Sequence, residues 1–280
     1  MTTVREALEH ARAAGLARLD AQLLLLHALG RSRDDRAWLI AHDGDALDAV
    51  TMLRYQALCG QRADAVPLAY LVGKRSFYGL ELEVDARVLD PRPDTETLVD
   101  WALALPGMPD AARVVDLGTG SGAIALAIKA QRPHWQVCAV DASEAALQVA
   151  RANALRLGLA IETVQGHWLQ TIPAATRFDL IVSNPPYLRA DDQHLPALRH
   201  EPREALVAGD DGLRDLREIA AGAAAHLQPG GWLLLEHGHD QADDVRTLLR
   251  TAGYAQVQSR KDLAGIERCT GGRHTGSAPL

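Results

Sequence analysis

The first 75 residues carry apolar positions at helical spacing, broken into short runs. Thr3 and Glu6 have the spacing of a capping box, Ala7, Leu8 and Ala11 share one helical face, and Gly15 can end the helix. Leu19 to Leu29 reads as a second helix stopped by Gly30, and Ser32 with Asp35 starts a third near Trp38–Ile40. Asp48 to Leu58 gives a fourth, and Pro67 to Val72 a fifth that stops at Gly73. No repeat of fixed period is visible, which sets a solenoid aside. Residues 1–75 are expected to form a small all-α domain without a catalytic constellation.

The period then shortens to two. Leu80, Leu82 and Val84 alternate with Glu81, Glu83 and Asp85, which predicts an extended or hairpin connector over residues 76–90. Pro91-Arg92-Pro93-Asp94-Thr95-Glu96 keeps the chain extended until a helix begins near Thr95. From residue 111, strands and helices alternate. Arg113–Leu117 is a strand, Ala123–Ala130 a helix, Trp135–Val140 a strand ending at Asp141, and Ser143 caps a helix that runs to Leu157 and Gly158. Ile161–Val164, Leu180–Ser183 and Trp232–Leu235 are further strands, and Gly271 to Leu280 reads as a loose Gly/Ser-rich tail. The fold class is α/β, with a Rossmann-like domain over residues 91–280 built on a mostly parallel sheet. Such sheets bind ligands beyond the carboxyl ends of their strands, and the informative residues fall there.

Asp116-Leu117-Gly118-Thr119-Gly120-Ser121-Gly122 joins the first of these strands to its helix. Glycines let the backbone turn tightly and approach a ligand, so Gly118, Thr119, Gly120, Ser121 and Gly122 are candidate cofactor-binding residues. Asp141 ends the next strand, where its carboxylate can accept both hydroxyls of a ribose. Gly118, Gly120 and Ala123 also satisfy the dinucleotide fingerprint, so this loop alone leaves methyltransferase and dehydrogenase open.

Asn184-Pro185-Pro186-Tyr187 separates them. An amide or aromatic amine nitrogen is a poor nucleophile because its lone pair is delocalised, so it must be aimed at an electrophilic methyl group. The Asn184 side-chain carbonyl can accept one N–H and the Pro185 backbone carbonyl the other. Pro186 adds stiffness, and Tyr187 offers a flat face to a planar group. Asn184 and Pro185 are the candidate catalytic residues, Asn184 through Tyr187 the substrate site, and Asn184 also borders the cofactor. A dehydrogenase has no use for this loop.

Charge narrows the partners. Net charge is -7, and residues 1–80 carry ten Lys/Arg against nine Asp/Glu out of totals of 29 and 36. No block of positive charge is present to neutralise a phosphate backbone, which disfavours nucleic acid. Cys59, Cys138 and Cys269 are too widely spaced for a disulfide framework or a zinc knuckle. Asp191, Asp192 and His194, like Glu236, His237 and His239, lack a recognised ligand spacing, and no metal is expected. The first ten residues hold no apolar block of signal-peptide length, and the longest early apolar run, Leu23 to Leu26, cannot span a bilayer. A cytoplasmic, monomeric chain is expected.

Together the glycine loop, Asp141 and Asn184-Pro185-Pro186-Tyr187 resemble the class I Rossmann-like amino-methyltransferases, and most closely the HemK/PrmC family, the peptide chain release factor glutamine methyltransferases. Pro67-Leu68-Ala69-Tyr70-Leu71-Val72-Gly73, Phe77-Tyr78-Gly79, the Pro91–Glu96 segment, Glu201-Pro202 and Leu233-Leu234-Leu235-Glu236-His237-Gly238 extend the resemblance along nearly the whole chain. It implies S-adenosyl-L-methionine as methyl donor, leaving S-adenosyl-L-homocysteine. The implied substrate is the glutamine of the Gly-Gly-Gln motif in bacterial class I release factors, held by the amino-terminal helices. Trp168 falls on the family's adenine-contacting position; the residue before it, commonly acidic in the family, is His167 here. Asn-Pro-Pro-Tyr alone is shared with ribosomal RNA and DNA amino-methyltransferases, which form the alternative.

Overall fold

The computed structural model describes residues 2–276. The chain forms two compact units, Met1–Lys74 and Arg75–Leu280.

The first unit holds α1 (Val4–Ala13), α2 (Arg18–Ala28), α3 (Arg36–Ala41), α4 (Ala49–Ala63) and α5 (Leu68–Val72). Both halves of the Thr3–Glu6 capping box are formed at the start of α1. Val4, Ala7, Leu24, Leu25 and Leu39 pack around Tyr55, whose hydroxyl donates to the Ala21 carbonyl at 3.2 Å and so stays satisfied inside an apolar core. α4 runs past the expected end at Leu58: it passes through Gly60, and Arg62 near its end pairs with Asp20 at 2.6 Å.

The second unit opens with β1 (Lys74–Phe77) and β2 (Leu80–Glu83), paired across Tyr78-Gly79. Both turn residues have positive φ, 48° and 76°, the two-residue geometry that matches the twist of the flanking strands. A single 3-10 turn, Pro93–Thr95, leads into α6 (Glu96–Leu103). There follow β3 (Arg113–Leu117), α7 (Ala123–Gln131), β4 (Gln136–Asp141), α8 (Glu144–Leu157), β5 (Glu162–Gln165) and β6 (Phe178–Ser183). The chain closes with α9 (Arg214–Ala223), β7 (Leu227–Glu236), α10 (Ala242–Thr251), β8 (Ala255–Lys261) and β9 (Glu267–Arg273).

One seven-stranded sheet runs in the order β5-β4-β3-β6-β7-β9-β8. Its first five strands are parallel, and β9 is antiparallel to both neighbours. Val115, Leu117, Val140, Ile181 and Leu233 meet Leu216 and Ile219 of α9 and Val245 and Leu249 of α10 in one core. β3 has its sequence successor β4 on one side and the later β6 on the other. That reversal is the switch point where parallel sheets open a crevice.

The expected loose tail is corrected in part. Thr270, Gly271 and Gly272 are buried in β9, with Gly271 opposite Leu234 and Gly272 opposite Leu233 of β7. Here glycine answers to close packing rather than to a loop. Residues 277–280 of that stretch lie outside the described residues.

Candidate active site

Register decides what meets at the switch point. Leu117 of β3 lies opposite Ser183 of β6, and the Ser183 hydroxyl donates to the Leu117 carbonyl at 2.7 Å. The next residues in each chain, Gly118 and Asn184, therefore leave the sheet side by side. Both line one cleft with Gly120, Asp141, Trp168 and Pro186. These elements lie far apart in the chain, yet the sheet puts them within one ligand's length.

The glycine loop folds over the end of β4. Gly118 and Thr119 donate to the Val140 carbonyl at 2.8 and 3.0 Å, and Gly120 donates to Asp141 Oδ2 at 2.8 Å. Ser143 donates to the other Asp141 oxygen at 2.9 Å. Burial raises the Asp141 carboxyl above the usual range, and these two N–H groups pull it back. Gly120 has φ 55°, and a Cβ there would meet nothing within 4 Å, so the space over it belongs to the cleft rather than to packing.

Thr119, Ser121 and Gly122 do not line the cleft. The Thr119 hydroxyl donates to Asp116 Oδ2 at 2.6 Å, and the Ser121 carbonyl accepts from Asn153 at 3.0 Å. A Cβ on Gly122 would lie 3.0 Å from Leu126 and 3.3 Å from Ala150, so this glycine lets α7 and α8 close together. These residues shape the loop from beneath. Asp116, fully buried there, also accepts from the Ala125 N–H at 3.2 Å, and burial lifts its carboxyl to about 7.

Trp168 is nine-tenths buried, part of the sheet core and part of the cleft wall. A Cβ on Gly118 would come within 3.1 Å of its ring, so the missing side chain is what admits the indole. Trp168 holds φ at 49°, a left-handed backbone that costs about 1–2 kcal/mol for a bulky residue. Its Nε1 has no hydrogen-bond partner among the described residues. His167 also borders the cleft, and its Nδ1 lies 3.2 Å from Glu218 Oε1. A neutral ring that donates through Nδ1 keeps Nε2 as an acceptor.

Of the Asn184–Tyr187 loop, Asn184 and Pro186 face the cleft, while Pro185 is buried and Tyr187 packs against the sheet core. Gln241 donates to the Tyr187 carbonyl at 3.1 Å. Leu188 is pinned by exchange with Leu206 and Ala208, each bond 2.9 Å. Farther along, Glu201 accepts from the Asp90 N–H at 3.2 Å and pairs with Arg92, tying this loop to the proline-rich segment. Two buried residues unforeseen as site members lie beside Asn184, one by hydrogen bond and one by the register that pairs Ser183 with Leu235. Thr95 accepts from Asn184 Nδ2 at 3.2 Å, and the buried Glu236 stands at the end of β7. The signal for Glu236 was a lone carboxylate closing an apolar strand; Thr95 gave none beyond its place in the proline-rich segment.

The model of the PrmC N-terminal domain family matches residues 2–73, and that of the Methyltransferase small domain matches residues 101–259. A release factor glutamine methyltransferase of Bordetella pertussis is 50% identical over 260 residues, covering 92% of this chain and 95% of that protein. One from Xylella fastidiosa is 51% identical over 262 residues, 92% and 94% of the two chains. The chain belongs to the release factor glutamine methyltransferase family. A methyltransferase from Pyrococcus furiosus shares the fold, with TM-score 0.56 at 20% identity over 72% of this chain and 92% of that one. The family assignment makes the chain a methyltransferase. The PrmC N-terminal domain match falls on the helical first unit.

Proposed function

We propose that this chain transfers the methyl group of S-adenosyl-L-methionine to the side-chain amide nitrogen of the glutamine in the Gly-Gly-Gln motif of class I release factors, with S-adenosyl-L-homocysteine as product. The observation that carries this reading is the Leu117–Ser183 register, which sets the glycine loop beside Asn184. The donor supplies an electrophilic methyl group on a sulfonium. Asp141 accepts the ribose hydroxyls, and Gly118 and Gly120 clear the path for the ligand backbone. Trp168 packs its edge on the adenine, and Nε2 of His167 accepts from the adenine amino group in the tautomer that Glu218 favours. On the other side, the Asn184 carbonyl and the Pro185 carbonyl accept the two N–H groups of the glutamine amide, and its lone pair points along the transfer axis. The nitrogen becomes acidic as it is methylated, so its proton leaves to water without a strong base. Pro186 and Tyr187 hold the loop's shape around the planar group. The helical unit grips the release factor, which places the work in the cytoplasm; among the described residues no helix is long and apolar enough to cross a membrane.

Labelled S-adenosylmethionine offered with separate pools of release factor, ribosomes, ribosomal RNA and DNA tests the substrate. Label is expected in release factor, and label confined to RNA or DNA would replace this reading with the nucleic-acid one. S-adenosylmethionine should raise the melting temperature and NAD should not, because a ligand stabilises the state it binds; a larger shift with NAD would return the glycine loop to dehydrogenase chemistry. Trp168→Ala should weaken cofactor binding by about 1–3 kcal/mol, read by titration. Trp168→Phe, which keeps most of the packing, should recover part of it. Equal affinity in all three proteins would leave Trp168 a core residue only.

A further inference from the structure

Pro185 and Pro186 bring no N–H to the Asn184–Tyr187 loop, so its backbone has to be held from its ends. At the β6 end the Ser183 hydroxyl holds the Leu117 carbonyl at 2.7 Å. At the far end the hold is Gln241, the residue before α10, which is 5% exposed. Three backbone groups surround its side-chain amide. The Gly238 N–H donates to Oε1 at 2.8 Å, while Nε2 donates to the carbonyls of Tyr187 at 3.1 Å and Gly212 at 3.2 Å. A backbone N–H can only donate and a carbonyl can only accept, so one orientation of the amide satisfies all three and the flipped one satisfies none. Gly238 is fixed in turn, because its carbonyl accepts from Nδ1 of the buried His237 at 2.8 Å. Packing closes round the same amide. A Cβ on Gly212, where φ is 72°, would meet the Tyr187 carbonyl oxygen and lie 2.8 Å from Gln241 Nε2; one on Gly238 would lie 3.0 Å from Oε1.

We propose that Gln241 is a positioning residue for methyl transfer, its NH2 group tying the Tyr187 carbonyl to Gly212 and so setting where the Pro185 carbonyl, two residues back, meets the substrate N–H. The proposal rests on the reading of Asn184–Tyr187 as the substrate loop. The peptide between Tyr187 and Leu188 is pinned at two points: the Leu188 N–H on the Leu206 carbonyl at 2.9 Å, and the Tyr187 carbonyl on Gln241. With the first alone, the peptide plane can swing about that bond and carry the loop with it; the second stops the swing. Leu188 keeps its bonds to Leu206 and Ala208 when Gln241 is changed, so the chain beyond the loop holds its course. Gln241 is buried behind the loop and does not line the cleft, so its loss falls on alignment rather than on binding. A methyl group added at Gly212 would break the same hydrogen bond from the other side.

Single-turnover methylation of release factor by the full chain, run well below the melting temperature of every variant, tests the role. Gln241→Met keeps the length of the side chain and removes its donors. It should slow transfer at saturation by about tenfold or more, with release-factor KM and cofactor affinity within about twofold. Gly212→Ala, which leaves Gln241 in place, should show the same split between rate and binding. The double variant should be at most about threefold slower than the slower single one, because both break one bond. A lowered melting temperature with a native rate in either folded variant would make Gln241 a structural residue only and overturn the proposal, as would losses that multiply in the double variant. The Gln241 side-chain NH2 signals in 15N-labelled protein give a readout independent of turnover. They should be protected from solvent exchange in the native protein and lose that protection in Gly212→Ala; free exchange in the native protein overturns the proposal. Native protein that methylates RNA or DNA in place of release factor would refute the substrate reading instead, and the same rate ratios taken on that nucleic acid would then decide the role of Gln241.

Discussion

Asn184→Ala is expected to lower the single-turnover rate of methyl transfer by about two orders of magnitude or more. The variant removes the acceptor for one glutamine N–H and leaves that donor buried without a partner, a penalty of about 1–3 kcal/mol. Misalignment of the nitrogen adds to it, because a delocalised lone pair reacts only when aimed. Asn184→Asp should also fail. A carboxylate can accept the N–H, but it brings negative charge beside the sulfonium, and it cannot donate to Thr95 Oγ1 as the native amide does at 3.2 Å. Asn184 contributes alignment more than cofactor contact, so affinity for S-adenosylmethionine should change far less than the rate. Single-turnover methylation of purified release factor beside a cofactor titration separates the two. A near-normal rate in Asn184→Ala would mean that other groups orient the amide.

Local chemistry carried the sequence reading a long way. β3 spans the expected Arg113–Leu117, and α8 starts after the expected Ser143 cap and ends at the expected Gly158, because capping and glycine signals act over a few residues. The strand-end placement of Gly118, Asp141 and Asn184 follows from the same periodicity. What the pattern could not contain was strand order. That β6 lies against β3, so that Gly118 meets Asn184, is a property of the sheet. Thr95 was hidden for the same reason: its hydrogen bond to Asn184 joins residues brought together only by tertiary packing. Thr119 and Ser121 read as ligand contacts because they flank glycines, yet their side chains turn inward, one to Asp116 and the other into the core. Composition misled at the carboxyl end, where Gly271 and Gly272 suggested a loop.

Gly271→Val should therefore destabilise the protein by about 3 kcal/mol, at the upper end of overpacking costs. In a strand, glycine is ordinarily a weakness, and a β-branched residue would be preferred on propensity alone. At this position a Cβ would lie 2.9 Å from the Leu233 carbonyl oxygen and 2.9 Å from Trp101 of α6, and closer still to Leu234. The leucine tip can rotate away, but the carbonyl belongs to the β7–β9 ladder and Trp101 is fully buried. Valine adds two further carbons to a site too small for one, so β9 or α6 must shift. For a unit of this size the loss corresponds to a fall in melting temperature of about 6–12 °C. Gly271→Ala should show a smaller fall in the same direction. The damage should reach the site, since Arg268 of β9 pairs with Asp94 beside Thr95, and Glu236 closes the neighbouring β7. Thermal unfolding followed by circular dichroism checks the prediction. A melting temperature within about 1 °C of the native value for Gly271→Val would show that β9 does not pack where the structure places it, and would restore the loose tail.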